Sequence, residues 1–399
     1  MASHIECLRC VACGHEQSDK QRALRCMKCG GFMQVVYDLA ALRRAVTPDM
    51  VAARHGGMWR YREFLPVRED DNIVSLGEGG TPLLRSRRIG PRLGLENLMF
   101  KDLTRNPTAS FKDYSSSTSV SKAREIRAPG IVLMSAGNAS SSFAAYCAAA
   151  GIPFHAIMLS NSYPGMVVQN LVYGSHAYRV EGTASEAGRV SARLAAENGW
   201  MDAGMPSNPY RVEGKKVIGF EIAESLGWRA LDRIVCPTAG GTSILALRKG
   251  FAELNAVGWV QGAPRLDCVQ TTSCAPVVEA WASGGPIVPA ARPDSIAIGL
   301  LAPNPEAGGL LVESMRTSGG EGITVTDAQI RAAQLALARE EGLFVEPSSA
   351  AALAGLMGLQ ERGAIGAGET IVLMLTGSGL KAPKIVEGLP EPQRLYDAV

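Results

Sequence analysis

The sequence predicts an α/β fold built on mostly parallel sheets and preceded by a small cysteine-rich head. Runs of four to six apolar residues alternate with longer helical patterns, and many of those helical patterns are followed by a glycine. The head is marked by cysteine usage: Cys7, Cys10, Cys13, Cys26 and Cys29, five of the nine cysteines, fall within the first 29 residues. A chain of 399 residues is too long for one simple core and suits two or three lobes.

Residues 1 to about 40 form the head. Cys10-Val-Ala-Cys13-Gly14 and Cys26-Met-Lys-Cys29-Gly30 read as two knuckles, each turning two thiolates inward. Two such turns complete a tetrahedral Zn²⁺ shell of structural type. Cys7 and His15 are spare ligand candidates, and a ribbon of reduced thiols without metal is the alternative. Residues 41–70 read as a connecting segment packed on the main body. From Ile73 the pattern repeats as strand, turn and helix. Ile131–Met134, Pro153–Leu159, Ala177–Val180, Arg233–Cys236 and Ile371–Leu375 read as strands. Ser140–Ala150, Met166–Tyr173, Glu186–Asn198, Val217–Leu226, Ser243–Leu254, Asp327–Glu341 and Ser348–Gln360 read as helices. Ser348 and Ser349 are placed to cap the last of these. The cluster Ser115-Ser116-Ser117-Thr118-Ser119 is poor helix material and suggests a polar cleft or a subunit contact.

Bulk numbers narrow the function classes. Hydrophobic content of 46%, charged content of 20%, Gly 44 and Pro 22 are ordinary for a globular enzyme. A net charge of +2 gives no reason to invoke nucleic acid or an anionic membrane. No apolar run approaches the ~20 residues that span a bilayer, and the first residues show no secretory pattern. A cytoplasmic protein acting on a small molecule is the expectation. Clustered cysteines in such a setting point to metal rather than disulfides.

The chemistry centres on Lys112, in Asn106-Pro107-Thr108-Ala109-Ser110-Phe111-Lys112-Asp113. Proline stiffens the turn and biases Asn106 away from helix. Ser110 is placed to cap a helix beginning near Phe111. Lys112 then lies in a first turn at the mouth of a cleft, where a lysine can hold an aldehyde cofactor as a Schiff base. An exposed surface lysine is the plain alternative. Three loops follow buried strands, where ligands of parallel sheets bind. Ser135-Ala136-Gly137-Asn138-Ala139-Ser140 offers hydroxyls and backbone amides to a carboxylate. Thr238-Ala239-Gly240-Gly241-Thr242 suits a phosphate. Thr376-Gly377-Ser378-Gly379 is the third.

The segments LGEGGTPLL (76–84), NPTASFKD (106–113), SAGNASSSFAAYCAAAG (135–151), NPYRVEGKK (208–216), TAGGT (238–242), VEPSSAAAL (345–353) and LTGSGLK (375–381) cover nearly the whole chain in order. Together they resemble threonine synthase and the wider group of fold type II pyridoxal-phosphate enzymes, whose type is the tryptophan synthase β-like fold. The resemblance implies two open parallel α/β lobes with the cofactor in the cleft. Residues 41–120 and 215–399 would form the larger lobe and 121–214 a smaller mobile one. It implies pyridoxal 5′-phosphate on Lys112, with Phe111 packed near its ring. Asn138 would bond the 3′-hydroxyl, and Ala239, Gly240, Gly241 and Thr242 would cradle the cofactor phosphate. Thr376, or less favourably Ser378, would face the ring nitrogen; turn-stabilising roles are the plain alternative for Asn138 and Thr376. Ser135, Ala136, Gly137, Ala139 and Ser140 would bind the substrate α-carboxylate. A homodimer is also implied.

Departures bear on the substrate. The resemblance leads one to expect Lys-Asp-Arg-Gly, and this chain has Lys112-Asp113-Tyr114-Ser115. An Asn-Ser pair that helps hold a substrate phosphate aligns with Met205-Pro206, a loop-ending asparagine with Thr242, and a helix-starting lysine with Met166. Arg211 either forks onto a phosphate or carboxylate or pairs with Glu213. Glu346 either faces the cofactor or caps the following helix. The leading expectation is conversion of O-phosphohomoserine to threonine and phosphate. The alternative is β-elimination or β-replacement on serine, threonine, O-phosphoserine or a specialised amino acid. A catalytically idle binding protein is the reading from a different class.

Overall fold

The computed structural model describes residues 3–135, 137–160, 164–229 and 231–381. Its strands form three sheets. The head holds β1 (Ile5–Cys10), β2 (Glu16–Gln17) and β3 (Met33–Tyr37), antiparallel in the order β2-β1-β3. The larger body holds β4 (Leu83–Arg85) and β5 (Leu98–Asp102), and the smaller β6 (Ile131–Met134), β7 (Phe154–Leu159), β8 (His176–Val180) and β9 (Met201–Asp202). The chain then returns to the larger sheet with β10 (Arg233–Pro237), β11 (Arg265–Thr271), β12 (Gly322–Val325) and β13 (Ile371–Leu375). The orders are β12-β11-β10-β13-β5-β4 and β8-β7-β6-β9. Every pair in these two sheets is parallel except β4 with β5.

Period-two alternation divides these strands between cores. In β10, Ile234 and Cys236 join one core while Val235 joins the other. In β13, Val372 and Met374 join the first core, and Ile371, Leu373 and Leu375 join the second. In β6, Ile131 and Leu133 face the main core while Val132 packs with Ile157, Ala187 and Ala195 beyond the sheet. Burial on both faces explains why these strands read as continuous apolar runs. Two edge strands depart from this: β8 has His176 exposed and Tyr178 at 44%, and β4 has no buried residue.

The helix Lys112–Glu125 carries too few apolar residues to announce a buried position, yet eleven of its residues are buried. It packs on the helix Tyr210–Ser225 at Gly214, where a Cβ would stand 1.9 Å from the Tyr114 carbonyl oxygen and 2.1 Å from Thr118 Oγ1. Small hydroxyl side chains permit that approach, and most find partners. Ser115 donates to the Lys112 carbonyl at 2.8 Å and Thr118 to that of Tyr114 at 2.7 Å. Ser117 donates to the Val74 carbonyl, and Ser121 accepts from the Val74 N–H, both at 2.8 Å. The serine cluster is therefore a helix–helix seam, in place of the polar cleft or subunit contact expected.

Three further expectations are corrected. Ser110 does not cap the Lys112 helix: Phe111 holds the cap position, and the Ser110 hydroxyl is buried without a partner among the described residues. Ser348 and Ser349 are not caps either, since Glu346 precedes the helix Pro347–Glu361. The helix expected over 217–226 begins at Tyr210, which brings Arg211 and Lys215 onto it.

The head is tied to the body through buried charge. Asp19 accepts from Lys122 at 2.7 Å and from Arg68 at 2.9 Å. Lys122 lies near the far end of the helix that starts at Lys112. Arg25 of the head also reaches Ser207 at 3.1 Å and Glu306 at 2.8 Å.

Candidate active site

Four segments leave the carboxyl ends of β5, β6, β10 and β13 and converge. Backbone bonds stitch two of them together. The Phe111 N–H donates to the Thr376 carbonyl at 2.9 Å and the Ser378 N–H to that of Ala109 at 3.0 Å. The Glu346 N–H joins from the other side, donating to the Gly377 carbonyl at 3.0 Å. The turn before Lys112 is further held by Asp113, whose carboxylate accepts from the Thr108 N–H at 2.7 Å and from the Ser142 hydroxyl at 2.5 Å. Burial raises Asp113 to about 6 even against those donors.

Lys112 opens its helix with its amine 4.0 Å from the Phe111 ring centroid. Burial, reinforced by the Arg211 guanidinium, lowers its pKa to about 7, with Glu346 opposing. An amine so tuned can exchange a proton near neutral pH. Asn138 begins the helix Asn138–Ala150, and its amide nitrogen lies 3.0 and 2.9 Å from the two Glu346 oxygens. Its Oδ1 is buried with no partner among the described residues. Burial pushes the Glu346 carboxyl up. Gly377 leaves room for this pair: a Cβ there would stand 2.5 Å from Glu346 Oε1 and push the carboxylate aside.

The backbone N–H groups of Ala239, Gly240, Gly241 and Thr242 find no partner among the described residues. They lead into the helix Thr242–Ala256, with Gly241 left-handed at φ 74°. Open N–H groups at a helix N-terminus in this arrangement can hold an anion. In the loop after β6, Ser135 accepts from the Gly137 N–H at 3.3 Å, while Asn138, Ala139 and Ser140 supply the first, open N–H groups of their helix. The Ser140 hydroxyl is taken by Asn170 at 2.7 Å. Ala136 and the side chain of Met166 lie outside the described residues. Thr376 Oγ1 pairs with Ser349 Oγ at 2.9 Å, and Ser378 Oγ accepts from the Leu380 N–H at 3.3 Å, turned into its own short helix.

Arg211 does not pair with Glu213. It donates to the Ala203 carbonyl at 2.7 Å and lies 5.5 Å from the Phe143 ring centroid. Glu213 instead holds Lys216 at 2.6 Å and accepts from Tyr37. Sequence reasoning missed Ser349, the Asp113 bracket and Lys215. For Lys215 a signal existed: it stands four residues after Arg211, hence on the same helical face. In the head, Cys10, Cys13, Cys26 and Cys29 bring their sulfurs within 4.8 Å of one another, and Cys7 and His15 are not in the group.

The pyridoxal-phosphate dependent enzyme family model matches residues 74–377. The chain belongs to that family. The site residues fit the cofactor, offering a partly buried amine of lowered pKa and, among the described residues, an unpartnered amide oxygen and a run of free N–H groups. Among curated relatives, the chain is 36% identical to the threonine synthase of Methanocaldococcus jannaschii over 94% of this chain and 93% of that one. It is 36% identical to the threonine synthase of Methanosarcina acetivorans over 98% and 96%. Among solved structures, maize serine racemase superposes with a TM-score of 0.67 at 23% identity, covering 76% of this chain and 90% of that one. O-ureido-L-serine synthase superposes with 0.64 at 21% identity, covering 78% and 94%. The two structures share the fold, which is fold type II.

Proposed function

We propose that this chain is a threonine synthase, converting O-phosphohomoserine and water to threonine and phosphate. The reading is carried by its similarity to threonine synthases over 94% and 98% of its length, together with Lys112 in a partly buried setting. These relatives do not favour the alternative of β-elimination or β-replacement on another amino acid.

When bound, pyridoxal phosphate supplies the electron sink that amino-acid side chains lack. The N–H groups of Ala239–Thr242 would hold its phosphate, Asn138 its ring hydroxyl, Phe111 its ring and Thr376 its ring nitrogen. A neutral hydroxyl such as Thr376, itself fixed by Ser349, cannot protonate that nitrogen as an acid would. Asn138, Ala139 and Ser140 present helix N–H groups to the substrate α-carboxylate, with Ser135 and Gly137 in the loop before them. Lys112, neutral above pH about 7, would take a proton from substrate Cα and move protons at Cβ. Arg211 supplies positive charge for the departing phosphate.

The four cysteines of the head would hold one structural Zn²⁺, supported by their sulfur cluster. The larger lobe at 41–120 and 215–399, the smaller lobe at 121–214, a homodimer and a cytoplasmic setting belong to the same reading. No described helix is long and apolar enough to cross a membrane.

The deciding experiment mixes holoenzyme with O-phospho-L-homoserine and follows products by phosphorus and proton NMR. Threonine with one equivalent of phosphate, lost in Lys112→Ala, is expected. Intact substrate with a normal cofactor spectrum would refute the reading.

A further inference from the structure

Four lysines of the described residues are buried: Lys101, Lys122, Lys215 and Lys216. Three are neutralised. Lys101 meets Glu221 at 2.7 Å, Lys122 meets Asp19 at 2.7 Å, and Lys216 meets Glu213 at 2.6 Å and Glu253 at 2.7 Å. Lys215, only 1% exposed, has no carboxylate at ion-pair distance among the described residues. Its hydrogen bond goes to the Thr242 hydroxyl at 2.9 Å. Its amine lies 5.0 Å from the Phe111 ring centroid, the same ring that Lys112 approaches at 4.0 Å.

Arg211 stands one turn earlier on the same face of the Tyr210–Ser225 helix. Its Nε is buried without a partner among the described residues. The groups facing Lys215 are thus Lys112 from the Lys112–Glu125 helix, Arg211 from its own helix and the uncharged Thr242 from the Thr242–Ala256 helix. Among the described residues, no acid facing it offsets the charge. A buried ammonium left uncompensated releases its proton. Lys215 follows that rule: burial, then Lys112 and Arg211, push it well below the ordinary lysine range. A residue kept for packing alone needs no amine. An amine aimed at a loop hydroxyl, beside a guanidinium with an unused donor, is complementary to an entering dianion.

We propose that Lys215 is a conditional cation that binds a phosphate monoester dianion together with Arg211 and Thr242, taking up a proton as the dianion enters. The dianion is assigned to the substrate, because the cofactor phosphate is served by the backbone N–H groups at 239–242. The assignment to substrate rests on the function proposed above. Lys215 is then a specificity residue: it favours an amino acid carrying a phosphate over the same amino acid with a bare hydroxyl, which brings no charge to draw the proton.

The test compares wild-type holoenzyme with Lys215→Gln and Lys215→Met, both verified as folded by circular dichroism. Inorganic phosphate is titrated by calorimetry at pH 8 in two buffers of different ionisation enthalpy. Wild type is expected to take up close to one proton per phosphate bound. Both variants are expected to bind at least about tenfold more weakly and to take up none. With O-phospho-L-homoserine, KM is expected to rise at least about tenfold with kcat changed far less, and cofactor affinity to stay unchanged. Equal phosphate affinity and proton uptake in wild type and variants would overturn the proposal. Loss of cofactor affinity in the variants would overturn the substrate assignment by placing Lys215 on the cofactor phosphate. Failure of wild type to turn over O-phospho-L-homoserine would refute the proposed function separately, since the phosphate titration reads Lys215 without turnover.

Discussion

Asn138 and Glu346 are joined across the site by two contacts from one amide nitrogen, at 3.0 and 2.9 Å, although 208 residues separate them in sequence. The pairing consumes the amide's donors and leaves its oxygen buried without a partner among the described residues. Glu346 is therefore a positioning residue. Its replacement by alanine frees the Asn138 amide to rotate and is expected to lower kcat/KM by about 10- to 100-fold, the equivalent of about 1.5–3 kcal/mol for a charged hydrogen bond. The cofactor absorption maximum should shift as well. Glu346→Gln, which retains one acceptor, should restore part of both. A variant with an unshifted spectrum and full activity would contradict this.

Lys112 carries a stability cost that can be measured without turnover. Its pKa falls from 10.5 to about 7 on folding, so the unfolded state binds more protons between those values and stability rises with pH across that window. The cost is full below pH about 7 and absent above 10.5. The apoenzyme of Lys112→Met is expected to be more stable than wild-type apoenzyme at pH 7 by on the order of 2–4 kcal/mol, with the gap closing toward pH 10. Urea melts at the two pH values check this; a gap independent of pH would contradict it.

Gly214 sets the distance between the Lys112 helix and the Tyr210 helix. The atom a methyl group meets first is a backbone carbonyl oxygen at 1.9 Å, which cannot rotate away. Gly214→Ala is expected to destabilise by about 3 kcal/mol and to reduce cofactor retention, because the whole helix must shift. A urea midpoint unchanged from wild type would show that the seam yields.

The cysteine cluster predicts one zinc per chain by elemental analysis. Cys26→Ser should lose it and lower the melting temperature by several degrees, in keeping with metal binding that contributes to folding. Cys7→Ser should keep it, since Cys7 stands outside the cluster. Zinc loss in Cys7→Ser would revise the ligand set.

The strand runs and the glycine-bearing loops are readable in sequence because burial on both sheet faces leaves an unmistakable apolar signature, and because loops at strand ends need small residues. The Tyr210 helix reads seven residues too short. Its first turns carry Arg211, Glu213, Lys215 and Lys216, all buried, and buried charge erases the apolar periodicity by which helices are found. The serine seam is unreadable for a related reason, since hydroxyls that satisfy themselves on nearby backbone look solvent-facing in sequence. Ser110 matches a cap pattern, but the strand-like bridge to Gly377 takes precedence over local capping. The Asn138–Glu346 pairing joins distant segments, which no local pattern records.

Among the described residues, Lys122 meets the head only through Asp19, yet it sits on the helix that presents Lys112. A shortened descendant lacking the first forty residues would take from that ammonium one of its two carboxylate partners, leaving Glu125 at 2.5 Å and the Pro66 carbonyl at 3.1 Å. Loss of the head and replacement at position 122 should therefore be inherited together, and a truncation that leaves Lys122 untouched should be recovered by second-site changes at that position.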